Sequence, residues 1–160
     1  MSRFYGDIKK NQAILEMPKL FSDDLIMETD TTTGNESRFN GAMLINAESM
    51  DNIPGLSLRF TACRTPEYNL CRFGLFLRDG ADLCTLLDIC VYPTSRRSHA
   101  DRKKRISIYG SHYHILNETH VLDMDYDTNN WLDYLVRFKE MANISFTSSV
   151  IVPPFAGELL

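Results

Sequence analysis

The stretch that decides the fold is residues 56–92, LSLRFTACRTPEYNLCRFGLFLRDGADLCTLLDICVY. In residues 56–62 and again in residues 71–77, apolar side chains occupy every second position, which is typical of strands with one buried face. Residues 83–92 are apolar almost throughout, which predicts a central strand covered on both faces and ended by Pro93. We therefore expect three strands of one antiparallel sheet here.

Helical patterns lie on both sides of these strands in the chain. Residues 7–17 have a helix-forming composition, with Asp7 as N-cap and Pro18 as the stop. Residues 127–144 carry apolar side chains at helical spacing, namely Trp131, Leu135, Phe138 and Ala142. The fold class we predict is α+β: an antiparallel sheet of five to seven strands, with an N-terminal helix and a C-terminal helix packed on one face.

Length and composition predict a single domain spanning residues 1–160. No apolar run reaches the roughly 18 residues of a membrane span, and the first residues, MSRFYGDIKKNQ, lack the apolar centre of a signal peptide. The four cysteines form no C-x-x-C pair and lie in apolar segments, so we expect buried free thiols. These features predict a cytoplasmic protein without membrane contacts.

The candidate functional residues are concentrated in residues 96–120, RRSHADRKKRISIYGSHYHILNETH. This stretch contains all four histidines, and residues 96–105 contain six of the seventeen basic residues. The rest of the chain carries eleven basic and twenty acidic residues, a net charge of about −9. A locally basic loop on an acidic protein indicates capture of an anion, so we expect RNA or another phosphate-bearing ligand as the partner.

His112 and His114 share a face if residues 106–116 form a strand, with about 6.5–7 Å between their backbone positions. We expect this face to be exposed, with Tyr113 pointing towards the core. His99 could join the pair if the basic loop folds back over the sheet. Two adjacent imidazoles are compatible with acid–base cleavage of a phosphodiester, with metal binding, or with a polar pair that has no role.

Metal-independent RNA cleavage requires a base, an acid and cations around the phosphate. This stretch supplies all three, so no cofactor or metal is expected. Tyr109 is a candidate platform for stacking a base. The candidate catalytic residues are His112, His114 and His99, and the candidate phosphate-binding residues are Arg97, Arg102, Lys104 and Arg105.

The metal alternative has a definite ligand pattern. His112, His114 and Glu118 form H-x-H-x-x-x-E, the ligand core of the first cupin motif. No histidine follows residue 120 to supply the second cupin motif, and six neighbouring positive charges disfavour a bound cation. We therefore expect no cupin-like metal site.

Residues 87–144 resemble an uncharacterised family of small bacterial and prophage proteins. The matching pieces are LLDICVY, then Ser98-His99, then ISIYGSHYHI, and finally WLDYLVRFKEMANI. The order of a lone histidine, a polar turn and a His-x-His strand is similar to TumE-type toxins of toxin–antitoxin pairs. Toxins of this size commonly act on RNA, so the resemblance implies an RNA-directed nuclease with an antitoxin as a possible partner.

Two classes of function follow from these observations. The first is a small metal-independent endoribonuclease, either a toxin or a phage effector. The alternative is a phage- or prophage-encoded binding protein that inhibits a host defence protein, as anti-CRISPR proteins do, without catalysis; its acidic remainder would mimic nucleic acid. Capture of a small nucleotide messenger by the basic loop is a third interpretation, which uses the same residues without catalysis.

Overall fold

The computed structural model describes residues 6–156. Neither helix in this range is long and apolar enough to cross a bilayer. In chain order the elements are α1 (Ile8–Glu16), β1 (Lys19–Phe21), β2 (Leu25–Ile26), β3 (Glu28–Thr29), β4 (Glu36–Gly41), β5 (Ile45–Asn46), β6 (Leu56–Arg64), β7 (Asn69–Asp79), β8 (Asp82–Val91), β9 (Arg97–Asp101), β10 (Ile106–Tyr109), β11 (His112–Ile115), β12 (Glu118–Val121), α2 (Trp131–Ala142), β13 (Ile144–Phe146) and β14 (Ile151–Val152).

The main sheet contains seven antiparallel strands in the order β12-β11-β8-β7-β6-β4-β3. Its centre is made by β6, β7 and β8, which are the strands predicted from residues 56–92. Every residue of β8 from Cys84 to Val91 is buried, as expected for a strand covered on both faces. The predicted α+β architecture is confirmed.

The apolar core lies between the main sheet and α2. The Phe138 ring packs 5.2 Å from that of Phe60 and 6.1 Å from that of Phe73, measured between centroids. Helix α2 begins with a capping box, in which Asn130 and Asp133 each accept a backbone N–H of the other. Leu15 of α1 is buried in the same core. On the other face, β8 and β11 carry buried polar residues, including Asp88, His112 and His114.

Lys19 connects the carboxyl ends of the two helices. Its side chain is buried, and Nζ donates hydrogen bonds to the backbone oxygens of Leu15, at 2.8 Å, and Ala142, at 2.7 Å, and to that of Met17. The last carbonyls of a helix lack intrahelical partners and carry the negative end of the helix dipole. One ammonium group therefore satisfies carbonyls at both helix ends.

We expect Lys19 to make stability depend on pH. Burial lowers the pKa of this ammonium from 10.5 to about 8. Between these values the unfolded chain binds more protons than the folded chain, so the free energy of unfolding contributed by Lys19 increases as the pH rises through that window. The free energy of unfolding, measured by urea denaturation, should therefore increase more between about pH 8 and about pH 10 for the parent protein than for Lys19→Met. The exposed control Lys9→Met should retain the parent's increase; an unchanged increase in Lys19→Met would contradict the assignment.

The structure corrects two expectations about the basic stretch. The predicted strand 106–116 is interrupted at Gly110, whose φ of +79° is left-handed, so β10 and β11 belong to different sheets. A Cβ atom at Gly110 would lie 3.2 Å from the Cα of Thr94, so a larger residue here would also be in tight contact with the backbone of the preceding turn. Residues 97–101, expected as loop, form β9 and pair with β10, which leaves only residues 102–105 as a turn.

Candidate nucleic-acid interface and histidine cluster

The sheet face opposite α2 carries a row of polar side chains on its central and outer strands. Strand pairing places His112 beside Cys90 and His114 beside Asp88, while on the next strand Arg72 lies beside Cys90. Because side chains alternate across a strand, all five share one face. Tyr113 projects to the other face and packs against the apolar core, as predicted.

His112 and His114 are in direct contact, but they are not exposed as expected. Their Nε2 atoms lie 3.1 Å apart and their ring centroids 4.9 Å apart. Each residue is 2% exposed. The expectation of an exposed face was wrong because β9 and β10 fold back against this side of the sheet, which brings Ser98 to His112 and His99 to both rings.

Two hydroxyl groups orient the paired imidazoles. Ser98 Oγ lies 3.0 Å from His112 Nδ1, and Thr119 Oγ1 lies 3.0 Å from His114 Nδ1. Ser98 Oγ also contacts the carbonyl oxygen of Gly110, which can only accept. Since the Ser98 hydroxyl donates to that carbonyl, it accepts from His112 Nδ1–H. His112 therefore carries its lone pair on Nε2, the atom that faces His114.

His99 joins the pair from the hairpin, as the sequence hypothesis required. Its ring centroid lies 5.5 Å from that of His112 and 5.2 Å from that of His114, and the residue is half-buried. We call His99, His112 and His114 the histidine cluster. Tyr92 extends it by stacking on His112, with a centroid distance of 5.9 Å, and the Arg96 guanidinium lies 5.7 Å from the Tyr92 ring.

An ion pair borders the histidine cluster. Asp88 is 1% exposed, and its carboxylate accepts a hydrogen bond from Arg72, whose side chain is 48% exposed. Burial lowers the pKa of Arg72, but the hydrogen bond and the charge of Asp88 outweigh this effect and raise it above its ordinary value. Arg72 therefore remains charged and balances the buried carboxylate.

Glu118 and His120 lie on the opposite face of the sheet from the cluster. His120 stacks on Tyr113 with a centroid distance of 5.1 Å, and its Nε2 lies 3.1 Å from a carboxylate oxygen of Glu118. Strand β12 pairs Glu118 with Ile115, which places the glutamate on the same side as Tyr113. The cupin-like ligand set of His112, His114 and Glu118 does not form, because the short turn between β11 and β12 directs Glu118 away.

The predicted phosphate-binding residues lie on the hairpin formed by β9, the turn at residues 102–105, and β10, which we call the cationic hairpin. Asp101 accepts the backbone N–H groups of Lys103 and Lys104, at 3.0 and 3.2 Å, so this carboxylate shapes the turn. In the described part of the chain, none of the hairpin's cations forms an ion pair with a carboxylate. The exposed cations are Arg97, Arg102, Lys103, Lys104 and Arg105.

The cations flank the histidine cluster and do not surround it. The turn begins three residues beyond His99, about 10 Å along an extended strand. Arg97 lies on the other side of His99 in the chain. Tyr109, the predicted stacking residue, is 58% exposed, and Ile106 is 49% exposed. The hairpin therefore presents exposed cations together with an aromatic and an aliphatic side chain, while His112 and His114 are covered.

The site residues predicted from the sequence do not include Arg72, Asp88 or Cys90. The alternation in LLDICVY could have placed Asp88 and Cys90 on one face of their strand. Their position beside the histidines depends on the pairing register of β8 with β11, and local patterns do not determine that register.

Comparisons with protein-family models, with curated proteins and with solved structures gave no significant match. The resemblance to TumE-type toxins therefore remains a prediction from sequence motifs.

Proposed function

We propose that this protein binds RNA through the cationic hairpin. The observation that carries the proposal is the set of exposed cations on β9, β10 and their turn, which are without carboxylate partners among residues 6–156. Phosphate groups of RNA would supply the missing anions, and release of their counterions would contribute most of the affinity. The acidic remainder of the chain restricts this contact to the hairpin.

Single-stranded RNA is the form that best suits this surface. Unpaired bases stack on exposed aromatic side chains, and Tyr109 stands at the end of β10 with more than half of its surface accessible. Contacts of this kind, with phosphates on cations and a base on an aromatic ring, do not depend strongly on sequence. We therefore propose that the protein binds single-stranded RNA with little dependence on its sequence.

RNA cleavage by the histidine cluster is the second candidate function. It is favoured by the convergence of three imidazoles within 5.5 Å of one another, which could act as base and acid. The burial of His112 and His114 argues against it, because substrate would reach them only after the hairpin opens. His99, which is half-buried, is the member best placed to contact a phosphate first.

A binding experiment with two ligands tests the proposal. Parent protein is titrated into a fluorescent single-stranded RNA and, separately, into a peptide nucleic acid of the same sequence, which has bases but no phosphates. We expect binding of the RNA alone, with the RNA remaining intact on a denaturing gel. Equal binding of both ligands, or of neither, would overturn the proposal and leave inhibition of a host defence protein as the better hypothesis. Cleavage that disappears in His99→Ala would establish the second candidate instead.

We expect Tyr109→Ala to weaken RNA binding through the loss of a stacked base. Removing such a platform typically costs about 1–3 kcal/mol, or roughly 5- to 150-fold in affinity. Tyr109→Phe should bind nearly as well as the parent, since it retains the ring. Val121→Ala, at an exposed site on β12, serves as the control. Equal affinities for Tyr109→Ala and Val121→Ala would exclude the stacking role.

A further inference from the structure

We propose that Cys90, His112 and His114 bind a divalent transition-metal ion, with zinc as the preferred ion and His99 as the fourth ligand. This metal site does not depend on RNA binding. From the sequence alone, no metal is expected in the protein. Its protein ligands come from two adjacent strands of the main sheet and from the hairpin that covers them.

The distances between the donor atoms fit a metal ion with small adjustments. One ligand atom from each of Cys90, His112 and His114 lies within 4.8 Å of the other two, and all three residues are buried. Zinc–nitrogen bonds of about 2.0–2.1 Å and tetrahedral angles place two nitrogen ligands about 3.3–3.4 Å apart. The two Nε2 atoms are 3.1 Å apart, so they already have almost the required spacing.

The imidazoles are also oriented as metal ligands. Histidines that bind a metal through one nitrogen usually donate the other N–H to a neighbouring acceptor, which fixes the tautomer. Ser98 holds His112 Nδ1 in this way and leaves the Nε2 lone pair directed into the cluster. The Thr119 hydroxyl can accept from His114 Nδ1–H equally well after rotating its proton.

The donor set determines which metal binds. A thiolate with imidazoles suits zinc and other late transition metals, whereas magnesium and calcium require oxygen ligands. When the metal binds, the S–H bond of Cys90 breaks, a sulfur–metal bond forms, and the proton is released to solvent. No electron is transferred, and no further reactant is needed.

His99 gives the site its connection to the cationic hairpin. Its ring is within 5.2–5.5 Å of both buried rings, and it lies in β9 between Arg97 and the turn. His99 lies outside the group of donor atoms that are within 4.8 Å of one another, so its ring has to move towards them to bind the metal. As the fourth ligand it would complete a tetrahedron, as in structural zinc sites, and attach the hairpin to the sheet. The metal therefore holds the cationic residues in one orientation.

Metal binding is tested directly on the full-length protein. Protein stripped of metal with a chelator is titrated with Co²⁺, whose absorption spectrum reports the ligands. A second sample is titrated with Zn²⁺, and the zinc bound per protein chain is measured by elemental mass spectrometry. We expect one equivalent of either metal, a sulfur-to-cobalt charge-transfer band, and a higher melting temperature with zinc. Cys90→Ser should lose the band, while Cys84→Ser and His120→Ala should retain it, because these residues are a buried cysteine and an exposed histidine elsewhere in the fold.

The half-buried His99 provides a test that does not depend on the folding of a core variant. His99→Ala should fold, as judged by circular dichroism, and bind Zn²⁺ about tenfold or more weakly than the parent. Unchanged affinity would remove His99 from the ligand set. Absence of stoichiometric Zn²⁺ and Co²⁺ binding by the parent would overturn the whole proposal. RNA binding is measured separately on the stripped protein, so the failure of one proposal is distinguishable from the failure of the other.

Discussion

Replacing Arg102, Lys104 and Arg105 together by alanine is expected to lower the affinity for single-stranded RNA by roughly 100-fold at about 0.1 M salt. Each phosphate neutralised on a single strand contributes about 0.7 to the slope of log affinity against log salt. Between about 1 M and about 0.1 M salt, three such contacts therefore raise the affinity by about two powers of ten, which the triple variant would lose. All three side chains are exposed in the turn of the cationic hairpin, so we expect the fold to survive the change.

The matched control removes the same charge from another part of the surface. Lys9, Lys10 and Arg38 are exposed cations outside the hairpin, and their joint replacement by alanine alters the net charge by the same amount. We expect this variant to bind RNA within about threefold of the parent, because these cations lie outside the hairpin and the field of an exposed charge is screened over about 10 Å at this salt concentration. If both triple variants lose affinity equally, the binding reflects overall charge and the hairpin has no special role.

Replacing Arg72 by methionine is expected to lower the free energy of unfolding by about 3 kcal/mol. Asp88 is almost completely buried, and Arg72 supplies the guanidinium that balances its charge. Removing one partner of a buried ion pair usually lowers the free energy of unfolding by about 3–5 kcal/mol. Because Arg72 is half-exposed, we expect a loss at the lower end of that range. Urea denaturation monitored by circular dichroism measures this loss.

The double variant Arg72→Met with Asp88→Leu separates the charge effect from packing. It should be more stable than Arg72→Met alone, because the buried carboxylate is removed together with its partner. Arg59→Met is the control: its guanidinium lies 5.4 Å from the Phe76 ring, so we expect a loss of about 0.5–1 kcal/mol. A double variant no more stable than Arg72→Met would show that the ion pair is not the source of the loss.

The three central strands of the main sheet and the second helix could be predicted because their signals are local. In residues 56–62 and 71–77, apolar side chains alternate because one face of each strand is more buried than the other. The apolar run at 83–92 reflects a strand that is covered on both faces. Residues 127–144 show helical periodicity, and the observed helix occupies Trp131–Ala142 within that range. Strand parity also identified His112 and His114 as a same-face pair.

The burial of that pair could not be predicted, because it depends on contacts between distant segments. Gly110 turns the chain by adopting a positive φ, but glycine is also compatible with an ordinary strand, so the break has no distinct sequence signal. The position of Cys90 beside the histidines depends on the register of β8 with β11. Formation of the hairpin over the sheet likewise requires contacts such as Ser98 to His112, which no local pattern encodes.

The salt dependence of RNA binding tests the central claim most directly. Affinity for a single-stranded RNA is measured by fluorescence anisotropy across a range of potassium chloride concentrations, for the parent and for the variant with Arg102, Lys104 and Arg105 replaced by alanine. If these side chains bind phosphates, the slope of log affinity against log salt becomes shallower by about 2 in the variant. Identical slopes for the two proteins would contradict the assignment of the cationic hairpin as the RNA-binding surface.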